Sequence, residues 1–283
     1  MVWNAVTMGL LAAVAWGVHD FSVRLASRGQ PIMITLLSVL FFGMLFQILL
    51  IVWTGEFAAL PADAVRLSVY SGVCFLIASI SLYVAFKRGP VKLVAPIIGG
   101  YPVISLFLAS LGGTVPHVTQ WVAVLVILAG ISSVAISAQD DDQVDFNMVP
   151  TMAVAALAAV SFALTFELGQ SAAALADERL SVAITRLVAL GLLLIAMLAM
   201  QKRILPDVKT VPLLAFMGLM DTVALFCVLS AGGMDDAHFA SATSSVFGLV
   251  TVLLSWLFLR EKLSLPQWGG VALAFGGIAY LAL

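Results

Sequence analysis

Apolar residues run along this chain in blocks of about twenty, separated by short polar turns. Ten such windows can be traced, near residues 2–22, 32–53, 66–86, 91–112, 119–138, 149–170, 180–200, 211–231, 237–258 and 265–283. A helix needs roughly 20 predominantly apolar residues to cross the hydrocarbon of a bilayer, so each window predicts one membrane helix. Gly, Pro and charge punctuate the breaks, as in Arg28-Gly29-Gln30-Pro31 and Lys87-Arg88-Gly89-Pro90. The connections leave no room for a separate soluble domain.

The pattern also repeats. Gln120-Trp121 stands ahead of Gly130-Ile131 as Gln267-Trp268 stands ahead of Gly277-Ile278, and both matches are 147 residues apart. That offset divides the chain into a first five-helix repeat over residues 1–138, an acidic linker over 139–148 that includes Asp140, Asp141, Asp142 and Asp145, and a second repeat over 149–283. Five is odd, so the second repeat enters the bilayer from the opposite face. The expected architecture is all-α and integral to the membrane, with ten transmembrane helices as two inverted repeats, an arrangement found in many secondary transporters.

Composition agrees. The chain is 63% apolar and 10% charged, with a mean hydropathy of +1.14, far from the norm for globular domains. A net charge of −2 without a basic run gives no nucleic-acid footprint. Cys74 and Cys227 fall inside apolar windows and read as packing residues. The N-terminal window has no basic lead and no convincing cleavage site, so it is expected to be the first membrane helix. Lys and Arg collect at the connections 1–2, 3–4, 7–8 and 9–10, while the other face carries essentially Arg66 and Arg179. The bias favours both termini outside the cytoplasm.

Ionisable residues within the windows need a reason, since one at a helix centre costs about 2.5–3.5 kcal/mol on insertion scales. Asp221 is the sharpest candidate, midway along the eighth window. It either faces a polar cavity or is a protonated carboxyl bonded to a neighbouring helix. Glu167 and Arg186 either pair across the sixth and seventh helices or hold a charged end of a substrate. Asp20 and Arg24 are spaced i, i+4 and could pair at the interface. His19 beside them is a packing group or a polar contact suited to a substrate or a proton. Trp16, Tyr83 and Tyr101 could wall an apolar pocket. In the fourth window Pro96, Gly99, Gly100 and Pro102 predict a kink lining the pathway. The matching stretch of the ninth window carries Ser244 and Ser245, whose hydroxyls either face the pathway or bond their own backbone. Gly269, Gly270 and Ala274 predict close packing of the tenth helix on the fifth or on a second protomer.

No metal, nucleophile-elbow, phosphate-loop or Cys-x-x-Cys motif is present, which argues against an enzyme, a cofactor or a metal and makes ATP coupling within this chain unexpected.

Trp16-Gly17, Gly89, Ala95-Pro96, and above all Phe258-Leu-Arg-Glu-Lys-Leu-Ser264 followed by Gln267-Trp268-Gly269 and Gly276-Gly277, give the chain its likeness to a family. It resembles the EamA-type transporters of the drug/metabolite transporter superfamily, in two tandem copies. The resemblance implies a central cavity lined mostly by helices 1, 3, 4, 6, 8 and 9, with helices 5 and 10 peripheral. It also implies outward movement of small metabolites, often amino acids. Thr114 stands where the first copy would carry the turn glutamate, and His19 replaces the usual polar residue of the first helix. The expected activity is export of a small polar or zwitterionic metabolite by alternating access, with Asp221, Glu167, Arg186 and His19 on its charged ends and Tyr83, Tyr101 and Trp16 on an apolar side chain. Proton-coupled efflux of lipophilic cations is the alternative. The expected setting is a bacterial inner membrane, with the lipid bilayer and a small-molecule substrate as partners; proton coupling and a homodimer stay open.

Overall fold

The computed structural model describes residues 4–26, 31–55, 60–88, 94, 97–111, 116–137, 147–260 and 263–281. Among the described residues ten helices run in order: α1 (Ala5–Ala26), α2 (Ile32–Thr54), α3 (Ala62–Arg88), α4 (Tyr101–Leu111), α5 (Val118–Ile136), α6 (Met148–Leu175), α7 (Glu178–Ala199), α8 (Val211–Ser230), α9 (His238–Leu259) and α10 (Leu265–Leu281). Eight of them are long and apolar enough to cross a membrane. No strand occurs among the described residues. The protein is an all-helical membrane bundle of two five-helix repeats, and apart from the fourth, where the regular helix is only Tyr101–Leu111, the helix bounds follow the apolar windows because lipid allows the chain no other way to satisfy its backbone.

Start signals recur at the repeat offset. Gln120 Oε1 accepts the backbone N–H of His117 at 2.9 Å, and Gln267 Oε1 accepts that of Ser264 at 2.8 Å. Each glutamine closes the first turn of its helix by satisfying an orphan donor, which gives the repeated Gln-Trp pair a physical meaning. Trp268 then packs edge-on against Trp256, tying α10 to the end of α9.

α10 lies on α5. A Cβ at Gly130 would come within 2.5 Å of the Gly270 carbonyl oxygen, and one at Gly270 within 2.7 Å of the Gly130 oxygen. Two glycines facing each other thus let the backbones touch, with Ala274 buried beside them. Gly269, expected at this seam, faces open space instead. Ile127, Ile131, Val134, Val271 and Ile278 of this pair join a second core with α1, α4 and α9 through Ala13, Leu106 and Leu249.

The main core gathers α1, α2, α3, α6, α7 and α8 around Leu36, Leu40, Phe75, Phe166, Val182 and Leu225. Buried amides and hydroxyls stitch it where helices end or cross. Gln170 on α6 donates to the carbonyls of Val228 and Ala237, holding the turn between α8 and α9. Gln47 on α2 donates to the Arg179 carbonyl at the start of α7. Asp177 caps α7 by accepting the Arg179 backbone N–H at 2.8 Å, and its carboxylate also receives the Arg179 guanidinium. That side-chain bond, with the backbone bond behind it, holds the Asp177 carboxyl below its ordinary range.

Two helices are broken within the bundle. Regular α4 begins only after a turn at Gly99-Gly100, and Pro102 sits in its first turn, where a missing N–H is tolerated. α9 is interrupted at Ser245-Val246, between His238–Ser244 and Phe247–Leu259. Pro96, the linker residues 138–146 and the Glu261-Lys262 turn lie outside the described residues.

Candidate functional site

A buried ion pair sits where α1, α2, α7 and α8 meet. Arg186 on α7 is fully buried, and its Nη2 donates to Asp221 Oδ2 on α8 at 2.9 Å. The other oxygen, Oδ1, accepts Trp16 Nε1 from α1 at 2.9 Å. One carboxylate therefore joins three helices. The guanidinium is seated against α2 at Gly43, where a Cβ would lie 2.5 Å from Nη1. No other residue type leaves that space. Thr222, next to Asp221, donates to the Gly43 carbonyl at 3.1 Å and keeps α2 and α8 in register at this point. Arg186 Nε and Nη1 have no hydrogen-bond partner among the described residues.

Asp221 also forms part of the wall of a cavity of about 70 Å³. A water needs on the order of 10–15 Å³ by such a measure, so a few small groups fit in this conformation. One side of the wall is aromatic. Trp16 lies against Phe166 at 5.7 Å between ring centroids and meets Phe247 edge-on at 6.3 Å. Tyr101 packs on Phe166 at 5.4 Å and on Phe162 at 6.1 Å. Phe75, Leu36, Val39, Leu40 and Leu82 complete the apolar lining. The polar lining residues are His19, Asp20, Ser79, Tyr83 and Asp221. His19 Nδ1 lies 2.9 Å from Asp20 Oδ1, while its Nε2 is buried without a partner among the described residues.

Tyr101 and Ser244 bridge the two broken helices: the phenol oxygen lies 2.8 Å from Ser244 Oγ. Ser244 also donates to the Ser241 carbonyl, and Ser245 donates to that of Ala242, so both hydroxyls bond their own backbone. Ser244 alone adds a contact with the other repeat. Gly99 and Gly100 form the turn just before Tyr101 and let its ring swing into the bundle.

Several expected partnerships differ. Arg186 pairs with Asp221, not with Glu167, although α6 and α7 are neighbours in sequence. Successive helical residues point about 100° apart, so with Phe166 turned into the cavity Glu167 is turned out of it. Glu167 is half-buried and has no partner among the described residues. Arg186 stands behind Asp221 and does not line the cavity. Asp20 bonds His19, whereas the side chain of its expected partner Arg24 lies outside the described residues. α2 contributes to the wall, beyond the helices that the family resemblance implies. Sequence reasoning missed Asp20 as a cavity residue, and it missed Phe162, Phe166 and Phe247. The i, i+4 spacing of Phe162 and Phe166, beside Ser161 and Thr165, is the signal that could have found two of them.

Comparison with known proteins follows the same lines. A solved crystal structure superposes with a TM-score of 0.83 at 18% identity, covering 99% of this chain and 98% of its own, which shows a shared fold. No curated protein matches the chain in sequence. The model of the EamA-like transporter family matches residues 3–136 and again 149–283. With the two repeats, the broken helices and the cavity, that double match makes this chain a multi-pass membrane transporter of the EamA-like family, within the drug/metabolite transporter superfamily.

Proposed function

We propose that the protein is a secondary transporter, acting as an exporter, for a small zwitterionic metabolite such as an amino acid with an apolar side chain. The observation that carries this reading is one small cavity lined by both aromatic rings and polar side chains. An apolar side chain packs against Trp16, Phe166, Tyr101 and Phe247, while the charged ends of the cargo meet His19, Asp20, Tyr83 and Asp221. Alternating access is supported by the breaks in α4 and α9, which place non-helical turns of both repeats beside the cavity. Outward direction and a bacterial inner membrane are part of this proposal, in keeping with the family likeness.

Efflux of bulky lipophilic cations is favoured less. Such a cargo needs an uncompensated carboxylate in a roomy site. Asp221 is already committed to Arg186 and Trp16, Glu167 stands off the cavity, and Asp20, the remaining carboxylate on the wall, borders a space of only about 70 Å³.

A thermal-stability screen of purified protein separates the two. Saturating amino acid at about 100 times its Kd stabilises by about 2.7 kcal/mol. Stabilisation by tetraphenylphosphonium, with none from any of the twenty amino acids, would refute the reading.

A further inference from the structure

We infer that Arg186, which does not line the cavity, is a positioning residue of the transport site: acting through Asp221 it sets the plane of the Trp16 ring, and with it how the site weighs planar against branched apolar side chains; this rests on the transport reading above. The Arg186 guanidinium is fully buried and makes one hydrogen bond among the described residues, from Nη2 to Asp221 Oδ2 at 2.9 Å. A carboxylate is rigid and planar, so the oxygen held by Arg186 fixes the direction of the other. That other oxygen accepts Trp16 Nε1 at 2.9 Å. An indole has a single N–H donor, and its ring turns about only two side-chain bonds. One bond at Nε1 therefore fixes the ring plane. Trp16 belongs to the cavity wall, and its ring meets those of Phe166 and Phe247 at 5.7 and 6.3 Å between centroids. A turn of the indole changes the aromatic surface that cargo meets.

The relay is anchored on α2. A Cβ at Gly43 would lie 2.5 Å from Arg186 Nη1 and 2.8 Å from Thr222 Oγ1, so the guanidinium occupies space that only glycine leaves. Contact with α2 at this point holds the planar fork in the orientation that meets Asp221.

Stability alone does not account for the arrangement. Replacing a whole buried ion pair by apolar residues of similar volume is often neutral or stabilising. The chain itself contains such a replacement. At the repeat offset of 147 residues, Arg186, Asp221 and Trp16 correspond to Val39, Cys74 and Ala163. The same helix packing thus holds in its other copy without a charge. What differs is the cavity: Trp16 and Asp221 line it, whereas Cys74 and Ala163 do not, and Val39 reaches it as an apolar side chain.

An aromatic pair needs a defined plane and is worth about two- to tenfold in affinity beyond the area it buries. A branched aliphatic chain packs by area, without direction. Losing the plane of Trp16 therefore penalises L-phenylalanine more than L-leucine. Contacts to the ammonium and carboxylate ends are common to both amino acids and cancel in their ratio.

The test is counterflow of labelled L-leucine and L-phenylalanine by proteoliposomes of the full-length protein, with kcat and KM measured for each. Arg186→Met lowers the phenylalanine-to-leucine ratio of kcat/KM at least about threefold, and the change lies in KM. Trp16→Phe lowers the ratio too, and adding Arg186→Met to it lowers the ratio no further, because the indole it held is gone. Gly43→Ala displaces the guanidinium while keeping its charge, and it moves the ratio in the same direction. Both of its close contacts are ends of side chains that can yield, so this variant decides the matter where Arg186→Met does not fold. A residue that only supports the fold would lower both amino acids in proportion and leave the ratio at its wild-type value. An unmoved ratio in Arg186→Met or Gly43→Ala, a further fall in the double variant, or wild-type carriage of L-leucine without L-phenylalanine would each overturn the proposal. Absence of wild-type counterflow with both amino acids rejects the transport reading itself, and the proposal with it.

Discussion

Cutting the Arg186–Asp221 pair from one side or the other should have unequal effects. The bond is 2.9 Å long, Arg186 is fully buried and Asp221 nearly so. Unit charges about 4 Å apart attract by about 4 kcal/mol at an effective dielectric constant of 20, and removing one partner of a buried pair costs about 3–5 kcal/mol. Asp221→Asn preserves shape and an acceptor but leaves a guanidinium that cannot shed its proton, so it should cost the full 3–5 kcal/mol. Arg186→Met should cost less. The stranded carboxyl keeps its bond from Trp16, lies on the cavity wall, and can become neutral by taking up a proton. In the double variant the charges vanish together, and its cost should fall short of the sum of the singles by about 2–3 kcal/mol. The assay is unfolding of detergent-solubilised protein by added SDS, followed by far-UV circular dichroism. Single costs that add to within about 0.5 kcal/mol would refute the claim that the two residues act as a pair.

Three further outcomes are expected. Gly130→Ala drives a Cβ into the α10 backbone and should cost about 1–3 kcal/mol in the same assay, whereas Gly276→Ala, with nothing within 4 Å, should be neutral or stabilising by up to about 1 kcal/mol. Tyr101→Phe removes the hydroxyl linking α4 to α9 and should cost about 1 kcal/mol, since Ser244 keeps its bond to the Ser241 carbonyl. Asp177→Ala should cost about 0.5–2 kcal/mol at neutral pH. The Asp177 carboxyl titrates lower folded than unfolded, so its contribution is complete above the unfolded value near 4 and is lost as pH falls through the folded one. Stability measured from pH 7 down to pH 3 should therefore show wild type and Asp177→Ala converging at the acid end.

Much of the architecture was legible because lipid leaves few options. A window such as 211–231 can only be a helix in hydrocarbon, and α8 duly spans Val211–Ser230. Partner choice was not legible in the same way. Arg186 sits nearer in sequence to Glu167 than to Asp221, and only the rotation of each helix decides which carboxylate it meets. That rotation depends on Gly43, a residue whose role is to be absent from a space on another helix. Asp20 read as half of an i, i+4 pair because local spacing was visible and the direction of the His19 ring was not. The phenylalanines of α6 were passed over because a ring in a membrane helix has the same composition whether it meets lipid or a cavity.

The most direct test of the cavity as the transport site is counterflow of labelled amino acids by proteoliposomes carrying wild type or Leu36→Trp. Leu36 is a buried cavity-wall residue on α2, and a larger ring there fills the space while both residues of the ion pair keep their identity. The wild type should give saturable exchange, and Leu36→Trp, still folded by circular dichroism, should give none. Exchange by Leu36→Trp at the wild-type rate and affinity would show that the cargo travels elsewhere.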